Sequence, residues 1–164
     1  MKNDYSSQFD SGQRQPRSSA LDSAFRILAR RDHTRQELAL KLRQKGFDRR
    51  AIEDALARCG ALGYLDDAKT AMVVAGQLAK RGYGPLRVRQ VLMQKGLDDT
   101  HIEKALPCCG DEAAQERSAR RMLEKKAARL GRESDPWKRR QIAYRFLSGR
   151  GFPSAVVSRA ITDL

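Results

Sequence analysis

Apolar side chains recur along this chain at the spacing of amphipathic helices. In residues 21–28 and again in residues 52–59 they fall at positions i, i+3, i+4 and i+7, which places them on one face of a helix. No stretch shows the strict alternation of apolar and polar residues that is typical of a strand. The pattern therefore predicts an all-α protein in which each helix buries one apolar stripe.

A longer pattern occurs three times and predicts the architecture. In each copy a helix ends near a basic residue and a glycine, and a second apolar stripe follows; the glycines are Gly46, Gly96 and Gly151. The spacings between these glycines are 50 and 55 residues. A period of this size is typical of repeat proteins, in which each unit is too small to bury its apolar face alone and packs against a neighbour.

Residues that start and stop helices divide each repeat into three helices. Thr34 and Glu37 form a capping box, which predicts that the second helix of the first repeat begins there. Gly46 predicts the end of that helix, because a glycine readily adopts the left-handed conformation of a helix terminus. In the third repeat we expect one helix over residues 111–130 and a final helix capped by Ser154.

We predict three tandem three-helix units, each similar to a helix-turn-helix, that form an elongated, curved solenoid of nine helices. Unit 1 is expected over residues 20–65, unit 2 over residues 66–110 and unit 3 over residues 111–164. Residues 1–19 are rich in Ser, Gln, Asp and Arg and contain few apolar residues, which predicts a disordered tail.

The charge of the chain indicates an acidic partner. The net charge is +13, which favours nucleic acid ahead of a membrane surface. Residues 111–164 carry 13 basic and 7 acidic side chains, so unit 3 is expected to be the main electrostatic anchor. No apolar run reaches the length of a membrane span, and residues 1–19 lack the apolar core of a secretory signal. We therefore expect a cytoplasmic protein.

The three cysteines are interpreted as packing residues. Cys59, Cys108 and Cys109 show no metal-ligand spacing. Alignment of the repeats places Cys59, Cys109 and Leu164 at one equivalent position, which indicates a buried apolar site that a free cysteine can fill. An odd number of thiols agrees with a reducing compartment.

The sequence carries no motif of a common enzyme class. It has no phosphate-binding loop and no dinucleotide-binding fingerprint, and neither His33 nor His101 has a second histidine or a cysteine at ligand spacing. We therefore expect a protein that is not an enzyme and that uses no cofactor and no metal ion.

Basic side chains cluster around the second helix of each unit. Because tandem units place equivalent residues along one side of a solenoid, these clusters are expected to line a positive track for phosphates. Tyr83 is either a residue that stacks on a base or a residue that packs within its turn. The candidate binding residues are Arg30, Arg31, Arg35 and Lys45 in unit 1, Arg81, Tyr83, Arg87, Arg89 and Lys95 in unit 2, and Lys138, Arg139, Arg140 and Arg150 in unit 3.

Four motifs resemble those of the RecX family of bacterial regulatory proteins. They are LARRDHTRQEL at residues 28–38, GYLDD at residues 63–67, RGYGP at residues 81–85 and RGF at residues 150–152. The resemblance extends over residues 20–164. The chain departs from it in residues 70–77, where small neutral side chains stand in place of the basic residues typical of this helix in the family.

The resemblance to RecX implies a function that composition alone does not reach. It implies a non-enzymatic regulator that binds the RecA recombinase and its filaments on single-stranded DNA, and that inhibits ATP hydrolysis, strand exchange and coprotease activity. Single-stranded DNA is the first expected nucleic acid and double-stranded DNA the second, and the protein is expected to be a monomer. The alternatives are a DNA-binding helix-turn-helix protein that acts without RecA and an adaptor that contacts only other proteins.

Overall fold

The computed structural model of the protein describes residues 19–164, and this part of the chain consists of helices joined by loops, without strands. It contains α1 (Ala20–Leu28), α2 (Arg35–Gln44), α3 (Arg49–Ala61), α4 (Asp67–Lys80), α5 (Pro85–Gln94), α6 (Asp99–Ala105), a 3-10 helix (Leu106–Cys109), α7 (Glu112–Glu124), α8 (Ala127–Leu130), α9 (Pro136–Gly149) and α10 (Ser154–Ala160). The tail predicted for residues 1–19 lies outside the described residues, except for Ser19, which caps α1.

The predicted capping residues explain where most helices begin. The Thr34 hydroxyl accepts a hydrogen bond from the backbone N–H of Glu37, and the Glu37 carboxylate accepts one from the N–H of Thr34, so the capping box is confirmed. The prediction that Ser154 caps the last helix is wrong. Pro153 occupies the capping position and Ser154 is the first helical residue, with no side-chain bond at this terminus.

Each unit closes its own apolar core. The core of unit 1 is built from α1–α3, that of unit 2 from α4–α6 with the 3-10 helix, and that of unit 3 from α7–α10. The shared position identified from the repeats faces these cores in all three cases. Cys59 is fully buried, whereas Cys109 and Leu164 pack at the edges of their cores and are half-buried.

The helix predicted over residues 111–130 is broken in two, which makes ten α-helices in the described chain instead of nine. The break falls at Lys125 and Lys126, between α7 and α8. It allows Leu130 to enter the core of unit 3, where it is buried, and it places the Lys126 ammonium 4.0 Å from the centre of the Phe146 ring. Tertiary packing has therefore overridden a sequence whose local helix propensity is continuous.

The glycines of the repeated pattern have the backbone conformation that the pattern requires. Gly46, Gly96 and Gly151 have φ values of +87°, +76° and +81°, in the left-handed region that other residues rarely adopt. Each glycine follows the helix predicted to be the second of its unit, which is α2, α5 or α9. In unit 3 we keep the term second helix for α9, because α7 and α8 together take the place of the predicted first helix. The loops after these three helices therefore share one geometry.

The first junction joins the start of α2 to the loop after α5. The Thr34 hydroxyl donates a hydrogen bond of 2.6 Å to the carbonyl oxygen of Lys95, and the Lys95 ammonium lies 2.7 Å from a Glu37 carboxylate oxygen. The side chain of Gln36 occupies the space where a Cβ atom on Gly96 would stand. The glycine of the repeat is thus needed for contact between units as well as for the turn.

The second junction joins the start of α5 to the loop after α9 in the same way, but with backbone atoms. The N–H of Gly84 donates to the carbonyl of Arg150 at 2.9 Å, and the N–H of Leu86 donates to the carbonyl of Gly151 at 3.0 Å. A Cβ atom on Gly151 would overlap the backbone of Arg87. In both junctions the N-terminus of the second helix of one unit contacts the loop after the second helix of the following unit. The helices α2, α5 and α9 are therefore connected in series.

Candidate nucleic-acid interface

The side chains of three predicted binding residues, Lys95, Arg150 and Tyr83, take part in the junctions. Lys95 pairs with Glu37, as described above, and Arg150 occupies the equivalent position in unit 3. The Arg150 guanidinium donates to the carbonyl oxygens of Arg81 and Gly82 at 3.0 and 3.1 Å and lies 5.0 Å from the centre of the Tyr83 ring. The Tyr83 ring therefore packs within its turn against Arg150.

The charge of the first junction is reflected in the pKa of Glu37. Burial of Glu37 opposes ionisation of its carboxyl group, but the hydrogen bond from Lys95, the N–H of Thr34 and the charge of Arg31 outweigh it and lower the pKa. Arg31 lies 3.5 Å from the same carboxylate. Glu37 therefore balances two of the predicted binding residues, Arg31 and Lys95.

Lys45 occupies in unit 1 the position that Lys95 occupies in unit 2 and Arg150 in unit 3, directly before the repeat glycine. Unlike those two residues, it takes part in no junction between the described units. Unit 1 has no unit before it in the described chain, so nothing packs on the loop after α2 and a Cβ atom on Gly46 would meet no neighbour. The Lys45 ammonium forms no ion pair within residues 19–164. It points to a cleft of about 560 Å³ between α1 and α2.

Cations dominate the lining of this cleft, and no carboxylate is among the lining residues. The charged and titratable lining residues are Arg26, Arg30, Arg31, His33, Lys41 and Lys45. Burial, together with the charges of Arg31 and Lys41, lowers the pKa of His33, although its bond to the Arg31 carbonyl and the charge of Glu37 act in the opposite direction. The cleft therefore brings together Arg30, Arg31 and Lys45 and has the charge of an anion site.

The remaining candidate residues in units 1 and 2 differ in whether their side chains form ion pairs or hydrogen bonds within the described chain. Arg89 pairs with Glu103 and lies 3.9 Å from Asp99, so its charge is largely balanced. Arg87 donates to the side chain of Gln90 at 2.7 Å. The side chains of Arg35 and Arg81 are exposed and have no hydrogen bond or ion pair with another described residue, although the backbone N–H of Arg35 donates to Asp67.

The basic side chains of α9 in unit 3 differ in how many hydrogen bonds they make to the rest of the unit. Arg139 is half-buried and donates twice to the Glu133 carbonyl, at 3.1 and 2.8 Å, which ties α9 to the preceding loop. Arg140 is exposed and has one long bond of 3.3 Å to the Thr162 carbonyl. The exposed side chain of Lys138 has no partner among the described residues. Lys138 and Arg140 are therefore the more available cations of α9.

Two aromatic residues near these cations were not identified from the sequence. Trp137 and Tyr144 lie on α9 and are 65% and 39% exposed. The signal that could have found them is an aromatic pair seven residues apart, on the polar face of a helix that contains no acidic residue.

Residues 19–164 contain no group of three or more His, Cys, Asp and Glu side chains that could hold a metal ion. None of the helices in this range has the length and apolar character of a membrane span.

Comparison with known families accounts for all three units. The models of the first, second and third three-helix domains of RecX match residues 20–59, 66–106 and 114–161. The regulatory protein RecX of Chlorobaculum tepidum is 44% identical over 137 residues, which are 83% of this chain and 82% of that protein. The regulatory protein RecX of Legionella pneumophila is 36% identical over 145 residues, 88% of this chain and 94% of that protein.

Solved structures show the same fold. The crystal structure of RecX from Lactobacillus salivarius has a TM-score of 0.77 and 22% sequence identity, and the match covers 88% of this chain and 94% of that one. A second crystal structure of a regulatory protein RecX has a TM-score of 0.78 and 23% identity, and the match covers 88% of this chain and 70% of that one. With its three domain matches and with relatives above one-third identity over most of their length, the chain belongs to the RecX family of regulatory proteins.

Proposed function

We propose that this protein binds RecA and RecA–single-stranded DNA filaments, inhibits RecA activities and thereby modulates recombination and DNA repair. The activities concerned are ATP hydrolysis, strand exchange and coprotease cleavage. The protein acts in the cytoplasm as a monomer and has no catalytic activity of its own. The observation that carries the proposal is the match of all three units, in order, to the three domains of RecX.

The arrangement of the units supports binding to a polymer. The two junctions connect equivalent ends of successive units, so cations that precede or follow the second helices recur along the molecule. Lys45 follows the second helix of unit 1, Arg81 precedes that of unit 2 and Lys138 lies in the first turn of α9. None of the three pairs with a carboxylate in the described chain. Repeated unpaired cations suit a partner that presents anionic groups at intervals, as a nucleoprotein filament does.

The contacts within the protein rank the candidate residues. We propose that Arg30, Lys45, Arg81, Lys138 and Arg140 contact the filament first, because their charges are not balanced by carboxylates. Arg31, Arg35 and Arg87 form a second group, because Arg31 lies beside Glu37, the backbone of Arg35 bonds to the Asp67 carboxylate and Arg87 bonds to Gln90. Lys95, Arg89, Arg139, Arg150 and Tyr83 act mainly by holding the units together and by fixing the helices that carry the first group.

RecA ATP hydrolysis on single-stranded DNA tests this function. We expect strong inhibition at well below one molecule of this protein per RecA, because one bound regulator affects many subunits of a filament. Inhibition that disappears when excess DNA is added would instead indicate competition for DNA without RecA. Hydrolysis that is unchanged at all ratios would overturn the proposal and leave a protein adaptor.

A charge variant tests the proposed contacts. Lys138→Ala combined with Arg140→Ala should weaken filament binding and make its salt dependence shallower by about 0.7 per lost phosphate contact on a single strand. Arg139 is left in place because it anchors α9. The matched control is Arg50→Ala combined with Arg58→Ala on α3, which removes two exposed positive charges that form no ion pair within residues 19–164 and lie far from α9 in the chain. Equal effects of the two pairs would show that only total charge matters.

A further inference from the structure

The solvent face of α9 carries an aromatic stripe. Trp137 and Tyr144 are seven residues apart, which is close to two helical turns, so their side chains lie on the same face. Trp137 is 65% exposed, and neither residue belongs to the core of unit 3. A large aromatic ring in water is costly because its apolar surface stays hydrated. Two such rings in line therefore call for a partner that covers them.

Cations border this stripe on both sides. Lys138, Arg140 and Arg145 are exposed, and at 100° per residue they fall on either side of the line from Trp137 to Tyr144. The helix itself contains no Asp or Glu. The face thus combines exposed rings with positive charge alone.

Three carboxylates of unit 3 form ion pairs away from α9. Glu112 and Glu116 pair with Arg159, at 2.7 and 3.1 Å, and Asp163 pairs with Arg120 at 2.6 Å. These pairs join α7 to α10 and do not involve α9. Asp135 caps the start of α9 by accepting hydrogen bonds from backbone N–H groups, and none of Lys138, Arg140 and Arg145 forms an ion pair with a carboxylate within residues 19–164. Their unpaired charge favours an anionic partner.

The helix that carries the stripe is held rigidly. On its inner face Ala143 and Leu147 are fully buried in the core. At its start the Asp135 carboxylate accepts a hydrogen bond of 2.9 Å from the N–H of Trp137, and Arg139 is tied to the Glu133 carbonyl. Rings fixed in this way lose little freedom when a partner stacks on them.

A single-stranded nucleic acid fits this combination better than a second copy of the chain. Every base has a flat π-face that stacks on aromatic side chains, and the phosphates satisfy the flanking cations. A second copy would bring another net charge of +13 to a positive surface. In a duplex the bases are already stacked on one another, so the rings would gain little.

We propose that Trp137 and Tyr144 form a stacking platform for the bases of a single-stranded nucleic acid, with Lys138, Arg140 and Arg145 holding its phosphates. The two rings are separated by about 10.5 Å along the helix axis, at 1.5 Å per residue. In a strand whose bases stay stacked at the duplex rise of about 3.4 Å, this distance spans about three nucleotide steps. The inference rests on the proposed function in naming a DNA strand as partner, but it concerns DNA alone and is tested without RecA.

Trp137 reports on its own occupancy, because it is the only tryptophan of the chain. We expect an oligothymidylate to quench the fluorescence of Trp137. An abasic oligonucleotide of the same length and inorganic polyphosphate should quench it much less at equal saturation of the protein. Saturation is measured by the fluorescence anisotropy of a labelled strand, directly or by its displacement. Equal quenching by polyphosphate would mean that only charge is bound and would overturn the proposal. Binding of the oligothymidylate without any quenching would overturn it as well.

Variants separate stacking from ionic contact. Trp137→Ala should raise the Kd for oligothymidylate about tenfold and leave the salt slope unchanged, and Tyr144→Ala should have a smaller effect in the same direction. Trp137→Phe keeps a ring and should restore most of the affinity. The control is Leu86→Ala, an exposed apolar residue at the equivalent position of α5, for which we expect no change in Kd.

Three outcomes for Trp137→Ala distinguish the platform from the function proposed above. If Trp137→Ala binds DNA as the wild type does, the platform is refuted, whether or not the variant still inhibits RecA. If Trp137→Ala abolishes self-association in sedimentation and leaves DNA affinity intact, the stripe contacts a second copy and the platform is again refuted. Loss of DNA affinity with inhibition of RecA retained supports the platform and assigns the inhibition to other contacts.

Discussion

Glu37 and Lys95 form an ion pair of 2.7 Å between residues that are 58 positions apart in the chain, and this pair joins unit 1 to unit 2. Both side chains are about one-fifth exposed. Glu37 also belongs to the capping box of α2. A single carboxylate thus starts a helix and fixes the position of the next unit.

Removal of this ion pair should loosen the first junction. We expect Glu37→Gln and Lys95→Met each to lower the free energy of unfolding by about 1 kcal/mol, and a double-mutant cycle to show coupling of a similar size. Gln at position 37 can still complete the capping box, so its effect reports the charge. Glu53→Gln, which breaks the exposed pair with Arg49, is the control and should cost less in urea unfolding.

A methyl group at Gly84 should open the second junction without straining the backbone. The φ of Gly84 is −82°, which alanine adopts freely, but a Cβ atom there would overlap the Gly151 carbonyl. We expect Gly84→Ala to speed amide exchange at Leu86, whose N–H donates across the junction.

The matched control for this variant is Gly46→Ala. It introduces backbone strain at a φ of +87°, but its Cβ atom would meet no neighbour among residues 19–164. It should lower stability by about 1 kcal/mol and leave the protection of Leu86 unchanged. Equal exchange of Leu86 in the two variants would contradict the proposed role of Gly84.

Acid should destabilise unit 1 through His33. Burial lowers the pKa of His33 in the folded protein, so below about pH 6.5 the unfolded chain binds a proton that the folded chain resists. The stability contributed by the neutral ring is therefore present above this pH, falls as the pH decreases through it, and is fully lost below the folded pKa. Urea unfolding of His33→Gln between pH 7.5 and 5 should show a shallower decline, whereas a decline equal to that of the wild type would rule out His33 as the cause.

The thiols should differ in reactivity. Burial, and to a smaller extent the neighbouring Cys108, raises the pKa of Cys109 to about 11, and burial raises the pKa of Cys59. Because the thiolate is the reactive form, both should react slowly with an aromatic disulfide reagent at pH 8. We expect one fast thiol in the native protein and three after unfolding. A fast reaction that persists in Cys108→Ser would disprove this assignment.

Much of the fold could be predicted from the sequence because its signals are local. The capping box of Thr34 and Glu37 and the left-handed Gly46, Gly96 and Gly151 depend on residues within one helical turn. Predictions were wrong where distant packing decides the outcome. The break at Lys125 and Lys126 follows from burial of Leu130 and from the Phe146 ring, neither of which a local pattern contains.

The candidate site could be predicted only as a set of residue types. The sequence identified Lys45, Lys95 and Arg150 as equivalent, but their different partners depend on which unit lies next to each. The pair Glu37 and Lys95 spans two units, so no periodicity within one unit indicates it. The sequence does not indicate a role for Trp137, because an apolar residue at a helix start is ordinarily assigned to the core. Only the exposure of its side chain in the structure distinguishes it from a core residue.

The two junctions also determine how the molecule responds to force. They lie in series, and each consists of hydrogen bonds, ion pairs and the packing of single side chains at helix ends. Each unit, by contrast, is held by a closed apolar core. Tension between unit 1 and unit 3 therefore separates a junction before it unfolds a helix bundle. The protein would then lengthen in two steps, one for each junction, while the three helix bundles stay folded.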